Sequence, residues 1–172
     1  TPETIINNPK IKIKQETRFF PQDKQEFFVV FDNHASINPF IFNFAAKSEI
    51  KLYLILRQTR KLNWQFNFNL ADKANLKLYL LHQATRKTKS KVNINFNLAK
   101  EAQLFLVEPL IFKGELRLDL AIFLKGEEAK ASLETLMVAN GKDNLEIKQT
   151  INHQAKRTLS EINNWLIASD EA

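Results

Sequence analysis

FNLADKANLKLYL, residues 68–80, reads as an apolar strand, a short polar turn ending in alanine and a second apolar strand, and the chain repeats that order. FNLAKEAQLFLV (96–107) and IFLKGEEAKASL (122–133) have it, and FNFAAKSEIKLYL (42–54) is a looser copy with Ser48 where the others place Ala74, Ala102 and Ala129. The four slot positions lie 26 to 28 residues apart, and a fixed period of that size marks a stack of like units. A small side chain suits a slot where the backbone turns tightly.

Outside the turns the pattern has period two, the signature of half-buried strands. In KLNWQFNFNL, Leu62, Trp64, Phe66, Phe68 and Leu70 share one face, and Asn63, Gln65, Asn67 and Asn69 share the other. KVNINFNL, ELRLDLAIFL and LEIKQTINH continue the alternation, so the chain is all-β. Each period holds two strand-and-turn segments, enough for one coil of a flattened β-helix. Stacked coils would enclose Leu, Ile and Phe and align the outward asparagines. An antiparallel β-sandwich or meander satisfies the same alternation. The repeated turns favour the solenoid, and Asn140-Gly141 is the one two-residue hairpin signal.

A chain of 172 residues with 44% hydrophobic side chains fits one core domain over 1–172. Residues 1–25, with Pro2, Pro9, Pro21 and the alternation of IKIK, read as a first edge strand or an N-terminal arm. Solenoid ends expose open edges, so the last run, INNWLIA, calls for a cap or a partner. The first residue is Thr1 rather than Met, which fits a processed or trimmed chain. No apolar run reaches the roughly 18 residues that span a bilayer and no charged-then-apolar leader is evident, so a cytoplasmic protein without membrane attachment is expected.

The chain has no cysteine, which excludes disulfides, thiolate metal sites and a cysteine nucleophile within it. The net charge is +6 and the pI about 9.5, but the lysines and arginines are scattered, as a compositional bias toward Lys, Asn, Ile and Phe would place them. ATRKTKSK, with Arg86, Lys87, Lys89 and Lys91, lacks interleaved aromatics and reads as a solvated basic turn, so nucleic acid is not an expected partner. Gly114, Gly126 and Gly141 are isolated and form no phosphate loop. His34 and His82 read as hydrogen-bonded or solvated turn residues. Asp119, Glu134 and Glu146, the carboxylates available to a glycan-active enzyme, fall on separate strands with no visible clustering.

The remaining candidates are His153, Thr158 and Ser160, in INHQAKRTLSEINNWLIASDEA (151–172). An imidazole near a pairing edge can bind a metal or bridge subunits. The preferred reading is structural: His153 bonds the neighbouring turn while the two hydroxyls satisfy backbone groups. No catalytic residue is assigned, and the metal question is left open.

Residues 118–172 resemble the core of the SufB/SufD family of iron–sulfur cluster assembly proteins. The resemblance lies in the order of an apolar strand, a turn with Gly126 and Ala129, a strand leading to Gly141, a strand with His153, Ala155, Thr158 and Ser160, and a further strand ending at Asp170 and Ala172. It implies a right-handed parallel β-helix that serves as a non-catalytic scaffold, pairing with a SufB/SufD-like subunit as a hetero- or homodimer through the β-helix and engaging a SufC-like ATPase. Members of that family continue into further coils and a helical tail, where the ATPase contact and the candidate cluster ligands lie. No ligand and no ATPase contact is therefore carried over, and any iron–sulfur cluster would belong to the complex. The alternative from another class is a stand-alone β-solenoid binding module for a protein or glycan.

Overall fold

The computed structural model describes residues 18–19, 24–32, 39–58, 61–84 and 88–169. They form twelve strands: β1 (Arg18–Phe19), β2 (Lys24–Asp32), β3 (Phe40–Phe44), β4 (Glu49–Gln58), β5 (Leu62–Leu70), β6 (Asn75–Ala84), β7 (Thr88–Leu98), β8 (Gln103–Ile111), β9 (Gly114–Leu124), β10 (Lys130–Asn140), β11 (Asn144–His153) and β12 (Leu159–Ser169). Odd-numbered strands make one sheet and even-numbered strands the other, each in chain order. Every pairing between described strands is parallel. The chain is a β-solenoid, and the antiparallel alternative falls. Asn140-Gly141 makes no hairpin, because β10 and β11 lie in different sheets.

Parallel in-register stacking places equivalent residues one strand spacing apart, about 4.8 Å. The core shows the consequence. Phe42, Phe68 and Phe96 are register partners, and their rings stack at centroid distances of 4.7 and 4.8 Å. Trp64, Phe66, Leu52, Leu54, Leu78 and Leu106 are among the fully buried side chains that share the lumen with them. The outward asparagines align as the alternation implies. Asn69 Nδ2 donates to Asn43 Oδ1 at 2.8 Å, Asn97 Nδ2 to Asn69 Oδ1 at 2.9 Å, and Asn95 Nδ2 to Asn67 Oδ1 at 3.0 Å.

The turns stack as well as the strands. Lys47, Lys73, Glu101 and Glu128 each have positive φ, between 55° and 62°, and each donates its N–H to a carbonyl in the next coil's turn, at 2.8 to 3.2 Å. Left-handed geometry in a non-glycine residue costs about 1–2 kcal/mol, which these inter-coil bonds help to offset. The slot residues follow directly: Ser48, Ala74, Ala102 and Ala129 are buried. Arg157, also with positive φ, precedes Thr158, which makes Thr158 a fifth slot residue, 29 positions after Ala129. Gly126 is fixed by proximity, since a Cβ there would collide with the backbone of Ala99 and Lys100.

Of residues 1–25, Arg18–Phe19 form β1 beside β3 in the odd sheet, and β2 begins at Lys24. The IKIK stretch, Pro2, Pro9 and Pro21 lie outside the described residues, as do His34, Arg86, Lys87, Asp170 and Ala172. No helix among the described residues is long and apolar enough to cross a membrane.

Candidate functional site

Strand β11 ends at His153, and the turn at 154–158 delivers Thr158 and Ser160 to the start of β12. The three side chains meet. Thr158 Oγ1 donates to the Ala155 carbonyl at 3.2 Å, as Ser48 Oγ donates to the Ala45 carbonyl at 2.7 Å in the equivalent slot. With its proton so committed, Thr158 Oγ1 accepts from His153 Nδ1 at 2.7 Å. In the neutral ring, Nε2 is then the lone-pair nitrogen, and Ser160 Oγ donates to it at 2.9 Å.

A serine, a histidine base and a hydroxyl that orients the ring stand in the order used by activated nucleophiles. Their position argues for another role. Register partnership puts His153 in line with Leu124 and Leu98, and Ser160 in line with Ala131 and Leu104, all of them lumen-facing. The trio thus occupies core positions of the last described coil. Gln149 and Asn164 extend the polar lining there, with Asn164 Nδ2 donating to Gln149 Oε1 at 3.0 Å and Gln149 Nε2 to Thr135 Oγ1 at 2.8 Å. Both ring nitrogens of His153 are engaged, so metal ligation would require breaking one of these bonds. No group of three or more His, Cys, Asp or Glu side chains suited to a metal occurs among the described residues.

The structure corrects the reading of His82. It lies within β6, not in a turn, and is fully buried. In NLKLYLLHQA the inward phase runs Leu76, Leu78, Leu80, His82, Ala84, so the alternation carries the imidazole into the lumen. Its partner is Glu108, one coil on and equally buried, with His82 Nε2 donating to Glu108 Oε1 at 2.9 Å. Glu108 had no place among the sequence candidates. The signal was present, since both residues interrupt an otherwise apolar phase and lie 26 positions apart.

The three carboxylates Asp119, Glu134 and Glu146 do not come together in one place. Asp119 and Glu146 sit on the outer face of the odd sheet, both held by Arg117, at 3.4 and 3.5 Å. Glu134 belongs to the even sheet, so it cannot pair with them across a bound glycan. Of the basic stretch, Lys89 pairs with Glu115 at 2.7 Å and Lys91 with Asp119 at 3.7 Å, each one coil on. Glu115 raises the Lys89 pKa above the ordinary lysine range, chiefly through a hydrogen bond. An open groove of about 480 Å³ crosses the starts of β6, β8, β10 and β12, lined by Lys77, Gln103, Phe105, Lys130 and Ser132 among others.

A family model described as "SUF system FeS cluster assembly, SufBD core domain" matches residues 27–172. No curated protein and no solved structure matches the chain.

Proposed function

The chain belongs to the SufBD core-domain family of the SUF iron–sulfur cluster assembly system, and from that premise we propose that it is a non-catalytic scaffold subunit. It pairs with a SufB/SufD-like subunit through the β-helix and works with a SufC-like ATPase in the cytoplasm. The observation that carries this reading is the extent of the family match, which runs from β2 to the last residue and so takes in almost every coil. The cluster is cargo of the complex. This chain's residues do not fit it: thiolates are the usual cluster ligands, there is no cysteine, and His153 has both nitrogens committed. In this reading His153, Thr158 and Ser160 serve the stacking of the next layer rather than a reaction.

Affinity-tagged chain co-expressed with a SufC-like ATPase is expected to retain the ATPase through purification and to support cluster formation in a reconstituted SUF reaction. A chain that neither retains the ATPase nor alters cluster formation sinks the scaffold reading. The groove near Phe105 favours one second reading, a β-solenoid module that binds glycan, because it combines an aromatic ring with amides and a hydroxyl. Specific hits on a glycan array, abolished in Phe105→Ala, would select it.

A further inference from the structure

Five polar side chains point into the lumen near one of its corners, where β6 ends at Ala84 and β7 begins at Thr88. Gln58, His82 and Glu108 are fully buried, and Thr88 and Ser90 are more than nine-tenths buried. They interrupt apolar columns. His82 stands between Leu56 and Leu110 in register, and Ser90 heads a run that continues through Leu116 and Leu145. Ser90 is smaller than its register partner Leu116, and Ala84 smaller than its partner Gln58, which widens this part of the lumen.

The His82–Glu108 bond satisfies only one atom of each residue. Six buried atoms have no hydrogen-bond partner among the described residues: Nε2 and Oε1 of Gln58, His82 Nδ1, Thr88 Oγ1, Ser90 Oγ and Glu108 Oε2. Thr135, the register partner of Glu108, bonds Gln149 instead. Buried polar groups are almost always satisfied, and six left unmet would cost an amount comparable to the whole stability of a domain. Something other than these side chains therefore meets them.

The chemistry of the six atoms identifies it. With His82 neutral and Nε2 donating, Nδ1 presents a lone pair, as Glu108 Oε2 does, and both need a donor. With the ring charged, Nδ1 becomes a donor and needs an acceptor. The two hydroxyls and the Gln58 amide offer both. An occupant that donates and accepts suits either state, and water is the smallest that does. One imidazole and one carboxylate are too few for a metal centre, and no group of three such ligands occurs among the described residues.

We propose that this corner of the lumen is an internal hydration site, in which enclosed water bridges the unmet atoms of Gln58, His82, Thr88, Ser90 and Glu108. At about three bonds per buried water, six atoms correspond to about two molecules. Leu56 and Leu110, both fully buried, close the site along the solenoid axis, so the water leaves only when a coil opens. The pair is thereby held inside an apolar lumen without a full set of protein partners.

A high-resolution crystal structure of the 172-residue chain tests this. Water density is expected within about 3.2 Å of both His82 Nδ1 and Glu108 Oε2. A peak within about 2.4 Å of the carboxylate would be a cation, and a corner where protein groups alone meet these atoms would be dry. Either result overturns the proposal. In solution, relaxation dispersion of isotopically labelled solvent counts long-lived internal waters. The native chain should hold more of them than the double variant His82→Leu with Glu108→Leu, at an unchanged β-sheet circular dichroism spectrum. Equal counts in two folded proteins also overturn the proposal, and the native crystal structure decides the matter even where the variant fails to fold.

Discussion

One column of the odd sheet holds Leu70, Leu98, Leu124 and then His153, and the last of these is treated differently from the rest. The three leucines are buried, whereas His153 is exposed. The facing column of the even sheet changes in step, from Leu76, Leu104 and Ala131 to Ser160. In a solenoid each coil's lumen is covered only by its neighbours, so burial depends on what stacks on either side. An identical position is therefore enclosed in one coil and exposed in the last described one, where His153, Thr158 and Ser160 bond one another at positions that are lumen in the other coils.

The sharpest test of that contrast sets an enclosed coil against the last one. Phe68→Ala removes a ring stacked between Phe42 and Phe96 and should cost about 3–5 kcal/mol in urea unfolding. Leu166→Ala, at a position 65% exposed, should cost less than about 1 kcal/mol. Equal losses at the two sites would mean that the last coil is covered after all. Next in size, Glu108→Ala strands the buried His82 imidazole and should cost about 3 kcal/mol or more, while the double change His82→Leu with Glu108→Leu should recover most of it. A double mutant as weak as the single would show that packing, not an orphaned polar group, sets the penalty.

Smaller effects are expected on the surface. Asn69→Ala breaks one ladder bond on each side and should cost about 1–2 kcal/mol, measured against Asn63→Ala on the same strand as a control. His153→Ala should cost under about 1 kcal/mol, read most directly as faster amide exchange in the turn around Thr158 with the global transition unmoved. The smallest effect concerns pH. A hydrogen bond with Tyr53 first, then one with Glu26, raises the Lys51 pKa, and Glu115 does the same for Lys89. A raised lysine pKa adds stability that is complete at neutral pH and is lost only as pH climbs through the lysine range. Because both ammonium groups are open to solvent, thermal unfolding should soften only slightly there, and less so at high salt.

Much of the architecture could be read from the chain, and particular residues show why the rest could not. The copies at 42–54, 68–80, 96–107 and 122–133 disclose the stack, because a turn that must nest on its neighbour needs the same small residue each time. Thr158 escaped that pattern, since a hydroxyl in the alanine slot looks like chemistry until its bond to the Ala155 carbonyl is seen. His82 and Glu108 lie in the inward phase of their strands, yet nothing in either segment alone says that they touch. The apolar column on the outer face of the even sheet was hidden in doubly apolar pairs such as Ile55-Leu56 and Leu80-Leu81, where one member fills the lumen and the other faces out.

By itself the sequence determined a two-sheet stack of strands, because period-two alternation inside a repeat of nearly constant length permits few other ways to bury one face of every strand. The tertiary structure decided which residues meet. Successive slots are separated by 26, 28, 27 and 29 positions, and a shift of one residue turns every side chain of a strand to the opposite face. Only the folded register fixes the His82–Glu108 pair and the apolar column that runs through Val30, Ile55, Leu81, Pro109, Leu136 and Trp165 on the outer face of the even sheet, since each is a relation between coils that no single segment contains.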